Sequence, residues 1–151
     1  MITFREITRE NYMECLLLRV KEDQRSFVAD NATSLTEARF EEGLFTRAVY
    51  SDGVMIGFVL FDYDTEIPGW SMSRFMIDKK FQHCGLGKAA AEEFLKFMRD
   101  KMKVTELFVS VNEENAAANA LYKGLGFRFT ESVRYELGGT LYRENRMKID
   151  L

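Results

Sequence analysis

The stretch "FMIDKKFQHCGLGKAAAEEFLKFM" (residues 75–98) changes character in its middle. An apolar, strand-like run ends at Asp78, a polar loop carries Gly85 and Gly87, and a helical pattern begins at once. Leu86, Ala89, Ala90, Phe94, Phe97, Met98 and Met102 recur at the spacing of one helix face. A strand, a glycine loop and a helix start in this order make either a tight turn or an anion cradle, because the first amides of a helix lack internal partners and its dipole favours negative charge. A Walker-type loop is excluded by spacing: Lys88 is followed by Ala89, so no hydroxyl is placed for Mg²⁺. Gly85-x-Gly87-x-x-Ala90, with Glu106 downstream, fits the dinucleotide fingerprint by letter. Its context does not fit, since Glu106 precedes its strand and the loop follows an antiparallel meander.

Working outward, Ile2 to Ile7 alternates as a half-buried strand, and Thr8 can cap a helix bearing Tyr12, Cys15, Leu16 and Val20. Ser34-Leu35-Thr36-Glu37 has capping-box spacing and predicts a second helix running to about Phe45. Thr46–Tyr50 and Val54–Phe61 read as strands joined by an Asp52-Gly53 hairpin turn. Asp62 to Gly69 reads as a polar loop, Trp70 to Asp78 as a strand, and Leu107–Val111 as a short buried strand. Asn115–Leu125 is helical and stops at Gly124 and Gly126. Phe127–Leu137 and Thr140–Ile149 form a closing hairpin about Gly138-Gly139. The order βααβββαβαββ predicts an α/β (α+β) fold with a mixed sheet, mostly antiparallel, flanked by helices.

The 151 residues, 46% apolar and 30% charged, predict a single domain over residues 1–151 with a well-filled core, to which 13 Phe contribute. A net charge of −3 with no basic stripe gives no footprint for nucleic acid. No basic leader precedes an apolar region, and no apolar run is long enough to span a bilayer, so the expectation is a cytoplasmic protein that does not bind membranes. Cys15 and Cys84 are far apart and lack metal-ligand spacing, which predicts two free thiols and no metal.

Gln82-x-x-Gly85-x-Gly87 after a strand, with Asn115 and Tyr122 on a later helix leading into Gly126-Phe127, resembles the GCN5-related N-acetyltransferase (GNAT) superfamily. The element order resembles it too, over nearly the whole chain. The resemblance implies that the loop holds the pyrophosphate of acetyl-coenzyme A through the amides of Gln82, His83, Cys84, Gly85, Leu86, Gly87 and Lys88, without a metal. It implies a bulged strand, here Phe75, Met76 and Ile77, whose backbone pairs with pantetheine, and an amide near Phe75 facing the acetyl oxygen. It further implies that Asn115 contacts the cofactor and that Tyr122 donates a proton to the departing thiolate. Taken alone, Asn115 reads as a helix N-cap and Tyr122 as a core-edge aromatic. His83 and Cys84 are expected to serve through their amides and not as base or nucleophile. The family also implies homodimerisation.

Within the superfamily, Gln24, Phe27-Val28, Ser34-Leu35, Ala38 and Arg74-Phe75-x-Ile77-Asp78 are similar to the bacterial spermine/spermidine acetyltransferase group. That implies a small polyamine substrate, for which Glu22, Asp62, Asp64 and Glu66 are the candidate carboxylates. Phe27, Tyr63 and Trp70 could add cation–π contacts. Ser73 departs from the pattern, since such relatives tend to carry an acid just before the arginine, and the general base stays open among Asp62, Asp64 and Glu66. The rival readings are a peptide or protein N-terminal acetyltransferase and a non-catalytic acyl-CoA sensor.

Overall fold

A computed structural model describes residues 1–151. One seven-stranded sheet runs in the order β1-β2-β3-β4-β5-β7-β6. Its strands are β1 (Ile2–Arg5), β2 (Leu44–Ser51), β3 (Val54–Asp64), β4 (Gly69–Ile77), β5 (Glu106–Asn112), β6 (Arg128–Leu137) and β7 (Thr140–Asp150). Four helices intervene: α1 (Tyr12–Leu17), α2 (Asn31–Phe40), α3 (Leu86–Asp100) and α4 (Ala116–Gly124). All neighbouring pairs are antiparallel except β4–β5, which is parallel.

Period-two alternation sends successive side chains to opposite faces. Ile56, Phe61, Met72, Leu107, Val109 and Val111 pack under α3 and α4 with Phe94, Met98 and Tyr122. Phe58, Leu60 and Met76 turn to the other face, toward Cys15 and Leu18 of the α1 segment. Both hairpin turns need left-handed backbone, and the residues supply it: Asp52 and Gly53 sit at φ 48° and 82°, Gly138 and Gly139 at 58° and 80°.

Four boundaries differ from the sequence expectations. The α1 helix stops at Leu17, because the backbone is already extended at Leu18 with ψ 137°, so Val20, expected on its face, lies beyond it. The α2 helix starts at Asn31, because the Asp30 carboxylate accepts from Thr33 N at 2.7 Å and so takes the capping role assigned to Ser34. Ser34 lies inside the helix, fully buried, with its hydroxyl donating back to Asp30 O. The same helix stops at Phe40 and β2 begins at Leu44, whereas a helix to Phe45 was expected. Most consequential for the site, β3 continues through Asp64, so Asp62 and Asp64 are strand residues and not loop residues.

Two irregularities open the sheet. Leu60 pairs with Arg74 but Phe61 pairs with Met72, which leaves Ser73 as the extra residue of a bulge. The β4–β5 ladder consists of Trp70 with Leu107 and Ser71 with Phe108, after which the strands part.

Candidate active site

The parting of β4 and β5 makes a V, and a cavity of about 280 Å³ fills it. Met72 to Ile77 form one wall, Val109 to Asn112 the other, and Leu121 and Tyr122 of α4 close one end. The sequence-predicted residues Phe75, Met76, Ile77, Gln82, His83, Gly87, Asn115 and Tyr122 all line this one cavity. Cys84, Gly85, Leu86 and Lys88 do not line it. Leu86 packs against the core, and Lys88 lies 3.9 Å from Glu92.

What the loop offers is backbone. The amides of His83 to Lys88 donate to no backbone acceptor, the first bond of this segment being Ala89 N to Gly85 O. His83 at φ 60° and Gly85 at φ 83° turn the chain into the helix, and Gly85 occupies the N-cap. Consecutive free amides at a helix N-terminus are a fitting seat for phosphate oxygens. A Cβ on Gly87 would point toward Ile77 at 3.8 Å, into the cavity that both residues line, so glycine there leaves room for a ligand.

The Gln82 side chain has another task. Its amide exchanges hydrogen bonds with Gln24 at 2.9 and 3.1 Å and donates to Ile77 O at 2.8 Å. Asp78, 2% exposed, accepts from Arg19 N and Lys80 N at 2.9 Å each. Both contacts tie the segment between α1 and α2 to the end of β4, so this segment roofs the cavity through Val20, Gln24, Phe27 and Val28. Asn115 caps α4, its side chain accepting from Ala118 N at 3.2 Å.

The Tyr122 ring packs edge-on against Phe127 with centroids 5.4 Å apart, and the residue is 7% exposed. Burial alone pushes its phenol well above the ordinary tyrosine value. The hydroxyl therefore stays protonated at any working pH, which suits a proton donor and excludes a phenolate.

A second cavity, about 570 Å³, opens on the far side of Ser73, Arg74, Ser110 and Asn112, residues that line both cavities. Its floor is the α2-side face of β3, β4, β5 and β7, carrying Asp62, Asp64, Ser71 and Glu144. Two of the predicted substrate carboxylates, Asp62 and Asp64, are here; Glu22 and Glu66 do not line it. Glu22 is exposed and faces Arg25 at 3.3 Å, while Glu66 lies in the turn held by Asp64, whose carboxylate accepts from Glu66 N at 2.8 Å. Tyr63 and Trp70 pack on each other outside both cavities, whereas Phe27 lines both. Arg74 pairs with Glu37 at 2.9 Å, so its charge is directed to α2.

Burial raises the Asp62 carboxyl above its ordinary value, opposed by the hydrogen bond from Ser73 and reinforced by the nearby Asp64 charge. The Ser73 hydroxyl donates to Asp62 in a short contact. The bulge thus sets a hydroxyl against a carboxylate of the neighbouring strand.

Sequence reasoning missed Tyr135, Tyr142 and Glu144, which also line the second cavity. Tyr142 and Glu144 stand two apart in β7, and the register sets Glu144 opposite Asn112. The polar alternation of β7 is visible in the sequence, but which strand it adjoins is not.

The thiols differ sharply. Cys15 is fully buried and burial pushes it up to about 11, whereas Cys84 is exposed in the amide loop, 2.9 Å from Phe81 O. Iodoacetamide at neutral pH is expected to alkylate Cys84 and spare Cys15. Saturating coenzyme A should slow Cys84 alkylation at least tenfold; an unchanged rate, followed by mass spectrometry, would count against phosphate binding at this loop.

A mixed sheet that parts at a bulged β4, with free amides at the start of α3 and a buried tyrosine lining the opening, is the arrangement that the GNAT resemblance predicts. The acetyltransferase (GNAT) family model matches residues 3–127, and the chain belongs to that family. It is 27% identical over 141 residues to the spermine/spermidine N(1)-acetyltransferase of Bacillus subtilis strain 168, covering 89% of this chain and 92% of that one. In fold it is similar to a spermidine N-acetyltransferase from Vibrio cholerae solved with CoA and spermine, with a TM-score of 0.76, 17% identity, and coverage of 99% and 95%. It is also similar to the ribosomal-protein-S18-alanine N-acetyltransferase of Escherichia coli, with a TM-score of 0.71, 20% identity, and coverage of 99% and 94%. No helix is long and apolar enough to cross a membrane.

Proposed function

We propose that this protein moves an acetyl group from acetyl-CoA to a primary amine of a polyamine by direct attack. The observation that carries the reading is the junction of the two cavities: the V, with His83 and Gly87 of the loop on its wall, and the cleft bearing Asp62, Asp64 and Glu144 meet at Ser73, Ser110 and Asn112. The Bacillus subtilis relative supports the polyamine class.

In this reading the loop amides of His83 to Lys88 take the pyrophosphate. The free edge of Phe75 to Ile77 pairs with pantetheine as an added strand, and an amide near Phe75 receives the oxyanion. Asn115 holds the pantetheine side of the V. Asp62, steadied by Ser73, accepts the ammonium proton directly or through water. Tyr122 then gives a proton to the departing thiolate and regains one, through water, from the attacking nitrogen as it becomes an amide. The first proton, held by Asp62, leaves to solvent, one per turnover.

Turnover of an amine panel with acetyl-CoA, followed by thiol release, tests the whole reading. Spermine and spermidine should be acetylated and N-terminal peptides should not; the reverse result would overturn the polyamine assignment in favour of a peptide substrate. Coenzyme A binding without turnover of any amine would point to a sensor.

Asp62→Asn should lower kcat/KM for spermidine about 100-fold, the scale of a lost general base. The sign of the pH dependence follows from the raised carboxyl. Asp62 works only when ionised, so activity falls as the pH drops through a range above the ordinary value of about 4. Asp62→Asn should lose that acidic limb; retention of the wild-type profile would remove Asp62 from the proton path.

A further inference from the structure

Resting on the polyamine reading, we infer that Glu144, with Tyr135 and Tyr142 of the closing hairpin, seats a second cationic nitrogen of the acceptor. The enzyme then selects amines that carry at least two positive charges, one end at the Asp62–Ser73 pair and the other at Glu144.

Three observations converge on Glu144. First, it is half-buried in the cavity wall with no cation of the chain to balance it. The next residue along the same strand face, Arg146, is engaged by Glu131 at 3.5 Å and lies 3.9 Å over the Phe108 ring. Second, burial raises the Glu144 carboxyl, and the neighbouring Tyr135 hydroxyl only partly opposes that. A carboxylate in such a place gains from an incoming cation, because desolvation penalises its charge while no internal cation repays it. Third, Tyr135 and Tyr142 are cross-strand partners stacked with centroids 5.1 Å apart, and both line the same cavity. Aromatic surface beside a carboxylate is the environment that favours an ammonium group over water.

The distance across the floor excludes a single shared ammonium. Asp62 lies on β3 and Glu144 on β7, with β4 and β5 between them. Three strand spacings amount to roughly 14 Å, before the V between β4 and β5 adds to it. One nitrogen does not reach both carboxylates. A flexible chain with separated nitrogens does, and it lies over Ser71, Ser110 and Asn112 as it crosses.

The test compares spermidine with n-butylamine, an acceptor that lacks the second charge. Wild-type kcat/KM should favour spermidine by at least tenfold. In Glu144→Gln that ratio should fall about tenfold, with KM for spermidine carrying the change, and Glu144→Asp should restore part of it. Affinity for coenzyme A, measured by calorimetry in the same variants, reports that the fold and the first cavity are intact. A ratio unchanged by Glu144→Gln, in a protein that acetylates spermidine, overturns the assignment of Glu144 alone. A wild-type protein that acetylates neither amine overturns the polyamine reading and this inference with it.

Discussion

Tyr122→Phe is expected to lower kcat about 100-fold or more while coenzyme A binds as before, the magnitude of a lost general acid. The substitution removes one oxygen from a ring whose packing on Phe127 needs only its carbon edge, so the wall of the cavity keeps its shape. Burial raises the Tyr122 phenol, and no hydrogen-bond partner in the chain offsets this. Tyr122 is consequently a protonated residue lining the V, where the proposed reaction needs an acid for the leaving sulfur. Thiol release measured at saturating substrates isolates the chemical step, and calorimetry isolates binding. Full turnover in Tyr122→Phe would remove the acid assignment, and equal losses in turnover and coenzyme A affinity would recast the tyrosine as a packing residue.

The second large effect concerns Gly57, which no chemical argument singles out. A Cβ on this residue would stand 2.3 Å from Met76 O and 2.9 Å from the Ile77 side chain. The obstacle is backbone of the adjacent strand, so relief requires β3 and β4 to move apart. Gly57→Ala should therefore cost about 3 kcal/mol, the upper range for overpacking. For a chain of this size that corresponds to a fall in Tm of roughly 10 °C. Because the displaced segment, Met76 and Ile77, is the strand edge proposed to pair with pantetheine, coenzyme A affinity should weaken as well. Thermal unfolding with and without coenzyme A measures both effects; a variant within a degree or two of wild type would show that the β3–β4 spacing is softer than the contact implies.

The elements that carry strong local signals were legible in the sequence. Asp52-Gly53 and Gly138-Gly139 announce hairpins because only such residues adopt left-handed backbone at low cost. The apolar spacing from Leu86 to Met102 announces α3 because one face must be buried. The errors fell where two local rules compete. Asp30 and Ser34 are both good helix caps, and the tertiary fold chose Asp30, leaving Ser34 to be buried inside α2 beside Arg74. Asp62 and Asp64 read as loop because carboxylates are rare in strands; they extend β3 because their face opens on a cavity and not on the core.

The candidate site divides the same way. The amide loop, Tyr122, Asn115 and the strand before the loop lie close together in the motif order, and resemblance to the GNAT pattern was enough to assemble them. The sequence by itself therefore determined the family and the element order, and it marked the free-amide loop proposed to hold phosphate, since the loop and its helix start depend on neighbours a few residues apart. Only the tertiary structure decided the second cavity, the proposed seat of the substrate. It placed the extra residue of the bulge at Ser73, set Asp62 beside it from another strand, and brought Glu144 opposite Asn112 from the far end of the chain. Those juxtapositions depend on strand register and on where β4 and β5 part, which long-range packing sets and which no local spacing encodes.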